Sequence, residues 1–215
     1  MKPLRLFFAI RPPSEVRKML WRNLAPMREA LPSVRWVRPE RLHITLRFMG
    51  DVSAGRLPRL ASAADALDRV SPFPVRLTGA GTFPTRGPPR VYWVGVRSRR
   101  LPGLREHLDR ALVGEGVERE DRIFQPHLTV GRANRGRSGR SGFTRGEVMA
   151  TVDLAFTVTA VHLVRSDLRP TGPRHTNVHR TVLGTRKARS CPPSSSERNG
   201  NPLPRAATGD ARADG

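Results

Sequence analysis

The stretch Arg41–Gly50, RLHITLRFMG, sets a histidine and a threonine two residues apart inside an apolar run. Residues 125–132, QPHLTVGR, repeat the pattern: His43-Ile44-Thr45-Leu46 is matched, 84 residues later, by His127-Leu128-Thr129-Val130. Side chains along a strand alternate between faces, so His43 and Thr45 share one face while Ile44 and Leu46 take the other. His127 and Thr129 are related in the same way. Each motif therefore reads as a strand with an apolar back and a His/Thr front.

The surroundings repeat as well. Arg38 precedes His43 by five residues, and Arg122 precedes His127 by five. Each half begins with an apolar strand, LRLFFAI (4–10) or VYWVGV (91–96), followed by a helix. The first helix opens at Pro12-Pro13-Ser14 and runs to Pro26 or slightly beyond. The second is marked by Leu101, Leu104, Leu108 and Leu112 at helical spacing. A helix is expected over 53–70, and strands at 35–37, 73–79, 154–166 and 177–184, with GAGTF (79–83) as a turn. This weak repeat of period 84 reads as a duplicated α+β unit. Lobes of roughly 1–90 and 91–184 are expected, with strands free to exchange between them.

Composition narrows the function. The 215 residues include 39 Lys/Arg against 18 Asp/Glu, a net charge of +21, and the lysines are only Lys2, Lys18 and Lys187. Codon bias explains arginine in place of lysine but not a net charge of this size. A polyanionic partner, with nucleic acid foremost, is expected. No apolar run reaches the ~18 residues of a membrane span. The N-terminal apolar segment is too short for a secretory signal. The single Cys191 excludes an internal disulfide framework. The expectation is a cytoplasmic monomer with no membrane association and no obligatory protein partner. From about residue 185 the chain turns to Pro, Ser, Gly and Arg, composition that cannot offset chain entropy by burial; 185–215 is expected to be a disordered basic tail. ANRGRSGRSGFTRG (133–146) reads as a mobile basic loop.

Two imidazoles and two hydroxyls brought into one cleft suit a specific chemistry. Imidazole titrates near pH 6.5, so one ring can accept a proton while its partner donates one. Concerted general base and general acid catalysis needs that combination and requires no metal or cofactor. Threonine hydroxyls can hydrogen-bond phosphate oxygens as charge shifts. The remaining histidines, His107, His162, His175 and His179, read as structural; the H-x₃-H pair lacks the companions of a zinc site. Asp65, Asp68, Glu118, Glu120 and Asp121 read as solvated faces and loops. There is no phosphate-cradling G-x-x-x-x-G-K loop, and no lysine is placed for ATP-dependent ligation.

These paired motifs resemble the two-histidine phosphoesterase superfamily, specifically the RNA 2′,3′-cyclic phosphodiesterases (2′-5′ RNA ligase-like proteins). The resemblance spans about residues 3–182: LRLFFAI, WVRPERLHITLRFMGDV, GAGTFP, PRVYWVGV, RIFQPHLTVGR and LVRSDLRPTGP, in that order. It implies a bilobal α+β fold, two pseudo-twofold-related lobes whose antiparallel sheets line a central cleft. It also implies hydrolysis of a terminal RNA 2′,3′-cyclic phosphate, or of cyclic-phosphate nucleotides, to a 2′-phosphomonoester. By position, His43 matches the proton donor to the departing 3′ oxygen and His127 the base that activates water. Thr45 and Thr129 match the phosphate-binding threonines, and Arg132 the arginine that closes the second motif. Strand alternation alone turns Arg132 away from His127, so its role needs a bulge or strand end. Where the family usually has an aromatic residue after the last GP, this chain has Arg174-His175, a change expected at the substrate rim and away from the catalytic pair. Competing readings are 2′-5′ ligation or a small cyclic-nucleotide substrate on the same fold, and an RNA-binding module without turnover.

Overall fold

The computed structural model describes residues 3–134, 152–169 and 172–185. The expected basic loop lies outside the described residues apart from 133–134, as does the expected tail apart from Thr185. The elements run β1 (Leu4–Ile10), α1 (Ser14–Asn23), α2 (Ala25–Ala30), β2 (Val34–Trp36), β3 (Ile44–Val52), α3 (Leu57–Asp65), β4 (Phe73–Phe83), β5 (Val91–Arg97), α4 (Leu101–Gly114), β6 (His127–Ala133), β7 (Asp153–Val158), β8 (Ala160–Asp167) and β9 (Arg174–Val182). The fold is α+β, as the resemblance implies. The single helix expected up to Pro26 is two, because a proline lacks the N–H an interior turn needs. The chain breaks at Leu24, and Pro26 falls in the first turn of α2. GAGTF is no turn: β4 continues through it, with a register shift between Leu77 and Ala80 and Gly79 at φ +68° absorbing the irregularity.

All pairings are antiparallel, in the order β7-β4-β5-β6-β3-β1-β8-β9, with β2 added to β6. Strand β4, from the first half of the chain, pairs with β5 and β7. Strands β8 and β9, from the second half, extend the sheet beyond β1. Only Thr159 separates β7 from β8. Six strand spacings of ~4.8 Å would hold those two strands about 29 Å apart in a flat sheet. One linking residue reaches roughly 7 Å. The sheet must therefore curl strongly back on itself.

The curl separates two apolar layers. Leu6, Phe8 and Ile10 of β1 join Leu20 of α1, Leu60 and Ala64 of α3, and Leu101, Leu104, Leu108 and Leu112 of α4 in one core on the helix-covered face. The alternate residues Phe7 and Ala9 form a small second cluster with Val164 of β8. That second cluster floors the face carrying the His/Thr fronts.

Candidate active site

The two motif strands are direct neighbours in the sheet. Their contact is one antiparallel pair, Ile44 opposite Leu128, both fully buried. Antiparallel geometry sets His43 beside Thr129, and Thr45 beside His127. With the aliphatics pointing into the core, all four polar side chains face the concave side, each half-buried.

The internal repeat holds in atomic detail. In β1–β3, Phe8 faces Arg47 and Ala9 faces Thr45, so Leu46 is left over; in β5–β6, Tyr92 faces Gly131 and Trp93 faces Thr129, so Val130 is left over. Both bulges fall at the last residue of the His-x-Thr-x quartet, 84 residues apart. A bulge resets side-chain alternation. It turns Arg132, opposite Val91, onto the same face as Trp93 and Thr129. The geometric condition on Arg132 is met.

Each histidine is held identically. His43 Nδ1 lies 2.6 Å from the Arg41 carbonyl oxygen, and His127 Nδ1 lies 2.8 Å from that of Gln125. A carbonyl only accepts, so each Nδ1 carries the proton and donates it. Among the described residues neither Nε2 has a hydrogen-bond partner, which leaves each for the cleft. Its state then decides the chemistry: bare, it is a base, and protonated, it is an acid.

Their environments differ. His127 meets Phe83 edge-on, with ring centroids 5.2 Å apart, and Phe83 in turn packs on Trp93. His43 lies against Phe7 at 4.9 Å and, edge-on, against His175 at 5.2 Å. Burial is the main cause holding His43 below the usual imidazole range; the Arg41 carbonyl opposes it, while Arg11, Arg132 and His127 add to it. The free protein thus carries a neutral His43 ringed by cations.

Two histidines read as structural from the sequence, and two arginines that it did not single out, belong to, or border, this site. His175 touches both Phe7 and His43, which corrects the expectation that Arg174-His175 lies away from the catalytic pair. Burial, followed by His43, Arg41 and Arg11, lowers it to about 4. His162, paired with Ala9 across β1–β8, is lowered to about 4 by burial, Arg11 and Arg180. Arg11 follows β1 directly and donates to the Glu40 carbonyl at 2.8 Å and to Asn177 Oδ1 at 3.4 Å. Arg41 donates to the Pro173 carbonyl at 3.3 Å. No local signal in the sequence distinguishes these positions, since β9 reaches His43 only through the curl of the sheet.

Two carboxylate readings change as well. Glu120 is no free loop residue: it pairs with Arg47 at 3.1 Å and Arg105 at 2.9 Å, and Asp109 takes Arg105 at 2.7 Å. Arg47 and Arg105 are 8% and 6% exposed, so these are buried pairs. Arg105 also donates to the carbonyl of the bulged Leu46. The equivalent carbonyl, that of Val130, accepts from the Val37 N–H at 2.8 Å. Asp65 accepts from His179 Nε2 at 2.7 Å and the Thr181 hydroxyl at 2.9 Å, which accounts for His179 structurally. Among the described residues no group of three or more His, Cys, Asp or Glu is gathered for a metal ion, and no helix is long and apolar enough to cross a membrane.

Comparison with known proteins agrees with this architecture. Residues 10–93 match the model of the LigT-like phosphoesterase family. An RNA 2′,3′-cyclic phosphodiesterase of Methanothermobacter thermautotrophicus is 35% identical over 179 residues, covering 81% of this chain and 96% of that protein. Its namesake from Thermus thermophilus is 33% identical, covering 84% and 90%. Among solved structures, a Thermus thermophilus protein superposes with a TM-score of 0.70 at 32% identity, covering 84% of this chain and 98% of that one. LigT of E. coli in complex with 3′-AMP superposes with a TM-score of 0.64 at 30% identity, covering 84% and 98%.

Proposed function

The chain belongs to the LigT-like phosphoesterase family, and on that premise we propose that it hydrolyses the terminal 2′,3′-cyclic phosphate of RNA to a 2′-phosphomonoester. The observation that carries this reading is the crossed pairing of two His/Thr fronts about the Ile44–Leu128 contact, with neither Nε2 hydrogen-bonded among the described residues. The phosphate sits between the two histidines, its non-bridging oxygens on the Thr45 and Thr129 hydroxyls and Arg132. His127 Nε2 takes a proton from water as the water oxygen attacks phosphorus. The bond from phosphorus to O3′ breaks, and O3′ receives its proton from His43 Nε2.

The depressed basicity of His43 fits this order. In the free protein it is neutral and avoids a further positive charge beside Arg11 and Arg132. An arriving phosphodiester anion reverses the local field and raises its affinity for a proton. His43 thus becomes an acid only in the complex. Hydrolysis needs no metal on this scheme, and the enzyme works as a cytoplasmic monomer.

The test is incubation of the pure protein with an RNA oligonucleotide ending in a 2′,3′-cyclic phosphate, with EDTA present. A 2′-phosphate end is expected. A 3′-phosphate would reverse the donor assignment, and intact substrate with retained binding would reduce the site to a phosphate grip.

A further inference from the structure

We propose that Arg11, Arg41 and His175 form a second phosphate-binding subsite beside His43, which takes a phosphate on the 5′ oxygen of the terminal nucleoside. The inference rests on the cyclic phosphate occupying the crossed His/Thr pair, and it adds a determinant of substrate choice to that site.

Three observations carry it. First, both guanidiniums are held by neutral oxygens. Arg11 donates to the Glu40 carbonyl and Asn177 Oδ1, and Arg41 to the Pro173 carbonyl. Among the described residues no carboxylate pairs with either, whereas the buried Arg47 and Arg105 are neutralised by Asp109 and Glu120. Oriented but uncompensated guanidiniums form a ready receptor for a phosphate. Secondly, the backbone makes room for one of them. A side chain at Gly172, which has φ +113°, would come within 3.0 Å of Arg41 Nη1. Thirdly, the cluster lies on one side of the reacting centre. His175 rests edge-on against His43 and Phe7, in the half of the sheet built on β1, while His127 packs against Phe83 in the other half. A phosphate bound there is a different group from the one between the histidines.

In a substrate ending in a cyclic phosphate, the next phosphate along the chain is the one on O5′ of the same nucleoside. It is a monoester in a 5′-phosphorylated mononucleotide and a diester in an oligonucleotide. His175 contributes as a neutral ring with an N–H to donate, its basicity already suppressed by burial and the neighbouring cations.

Binding of adenosine 2′-phosphate, adenosine 2′,5′-bisphosphate and the dinucleotide ApA 2′-phosphate, measured by calorimetry at fixed salt, tests this directly. The 5′-phosphorylated ligands are expected to bind about tenfold tighter than the monophosphate, the gain of one charge-assisted contact set. Arg11→Ala and Arg41→Ala should each shrink that ratio to about twofold, while Arg59→Ala, at an exposed position of α3, keeps it. Because the readout is a ratio within one variant, a general loss of affinity cancels. Preference for the bisphosphate alone assigns the subsite to mononucleotides, and preference for both assigns it to RNA. Equal affinities in the native protein, or a ratio untouched in both arginine variants, would overturn the proposal. Failure to hydrolyse adenosine 2′,3′-cyclic phosphate with the ratio intact would sink the hydrolysis reading alone.

Discussion

Ile44 faces Leu128 across the one antiparallel pair that joins β3 to β6, and both are wholly buried. Everything the cleft can do follows from that contact. It sets each motif histidine beside the threonine of the other motif. On the proposed reading the active site is a crossing of the two halves of the repeat, and neither half holds a complete one.

Removing either histidine is accordingly expected to disable the whole. His43→Ala and His127→Ala should each lower single-turnover hydrolysis of a cyclic-phosphate RNA by roughly 10²–10⁴-fold while a 2′-phosphate product still binds. The double variant should lose little more, because groups acting as a unit are not additive. Either single variant turning over at close to the native rate would exclude the acid–base scheme.

The titration of His43 can be followed by NMR of its imidazole. In the free protein it should protonate below the usual pH of 6.5, and Arg132→Gln should move the midpoint upwards by removing one depressing charge. Saturating 2′-phosphate product should move it up as well. A midpoint at or above 6.5 without ligand would contradict the desolvated, cation-ringed environment.

Acid should destabilise the fold through His162 and His175. Both bind protons at about 4 when folded and near 6.5 when unfolded, so the unfolded chain takes up more protons between those values. The stability these neutral rings contribute is complete above 6.5 and is lost progressively as the pH falls towards 4. Denaturant midpoints measured across that range should decline on acidification, and His162→Phe should flatten the decline. An unchanged slope in that variant would remove His162 from the account.

Arg105→Met leaves Asp109 and Glu120 with fewer counter-charges and the Leu46 carbonyl without its guanidinium donor. Breaking a buried pair from one side costs about 3 kcal/mol, at the low end because Glu120 is partly solvated. Urea unfolding should show a loss of that order. Activity should fall further than Arg105→Lys reduces it, since the bulge that follows Thr45 loses its support. A loss below about 0.5 kcal/mol, the scale of an ordinary surface substitution, would show the network to be incidental.

Gly81 lies under the Trp93 indole, where an added Cβ would collide with the six-membered ring at Cζ2 and Cη2. Gly81→Ala must therefore displace the indole of the residue that lies opposite Thr129. Overpacking of this kind costs roughly 1–3 kcal/mol. The variant should unfold at lower urea and show altered tryptophan fluorescence together with a raised KM. Native fluorescence and stability would mean that the indole does not rest on this glycine.

The duplicated unit, its period of 84 and the four polar residues of the motifs were legible in the sequence, because strand alternation and helical spacing are local rules. Leu101, Leu104, Leu108 and Leu112 point into the core as their spacing predicts. What local rules could not supply was how strands from different halves pair. The bulge at Val130 that turns Arg132 inward comes from its mismatch with β5, and the place of His175 beside His43 comes from the curl that swings β9 over the cleft. Likewise Glu120, an unremarkable acid in a loop, gained its role only when folding buried Arg47 and Arg105 beside it. The sequence by itself determined which residues are proposed to carry proton-transfer chemistry, since side-chain type and alternation are written residue by residue. Tertiary structure alone decided which groups surround them and in what charge state, because burial and the fields of distant arginines exist only once the sheet has closed.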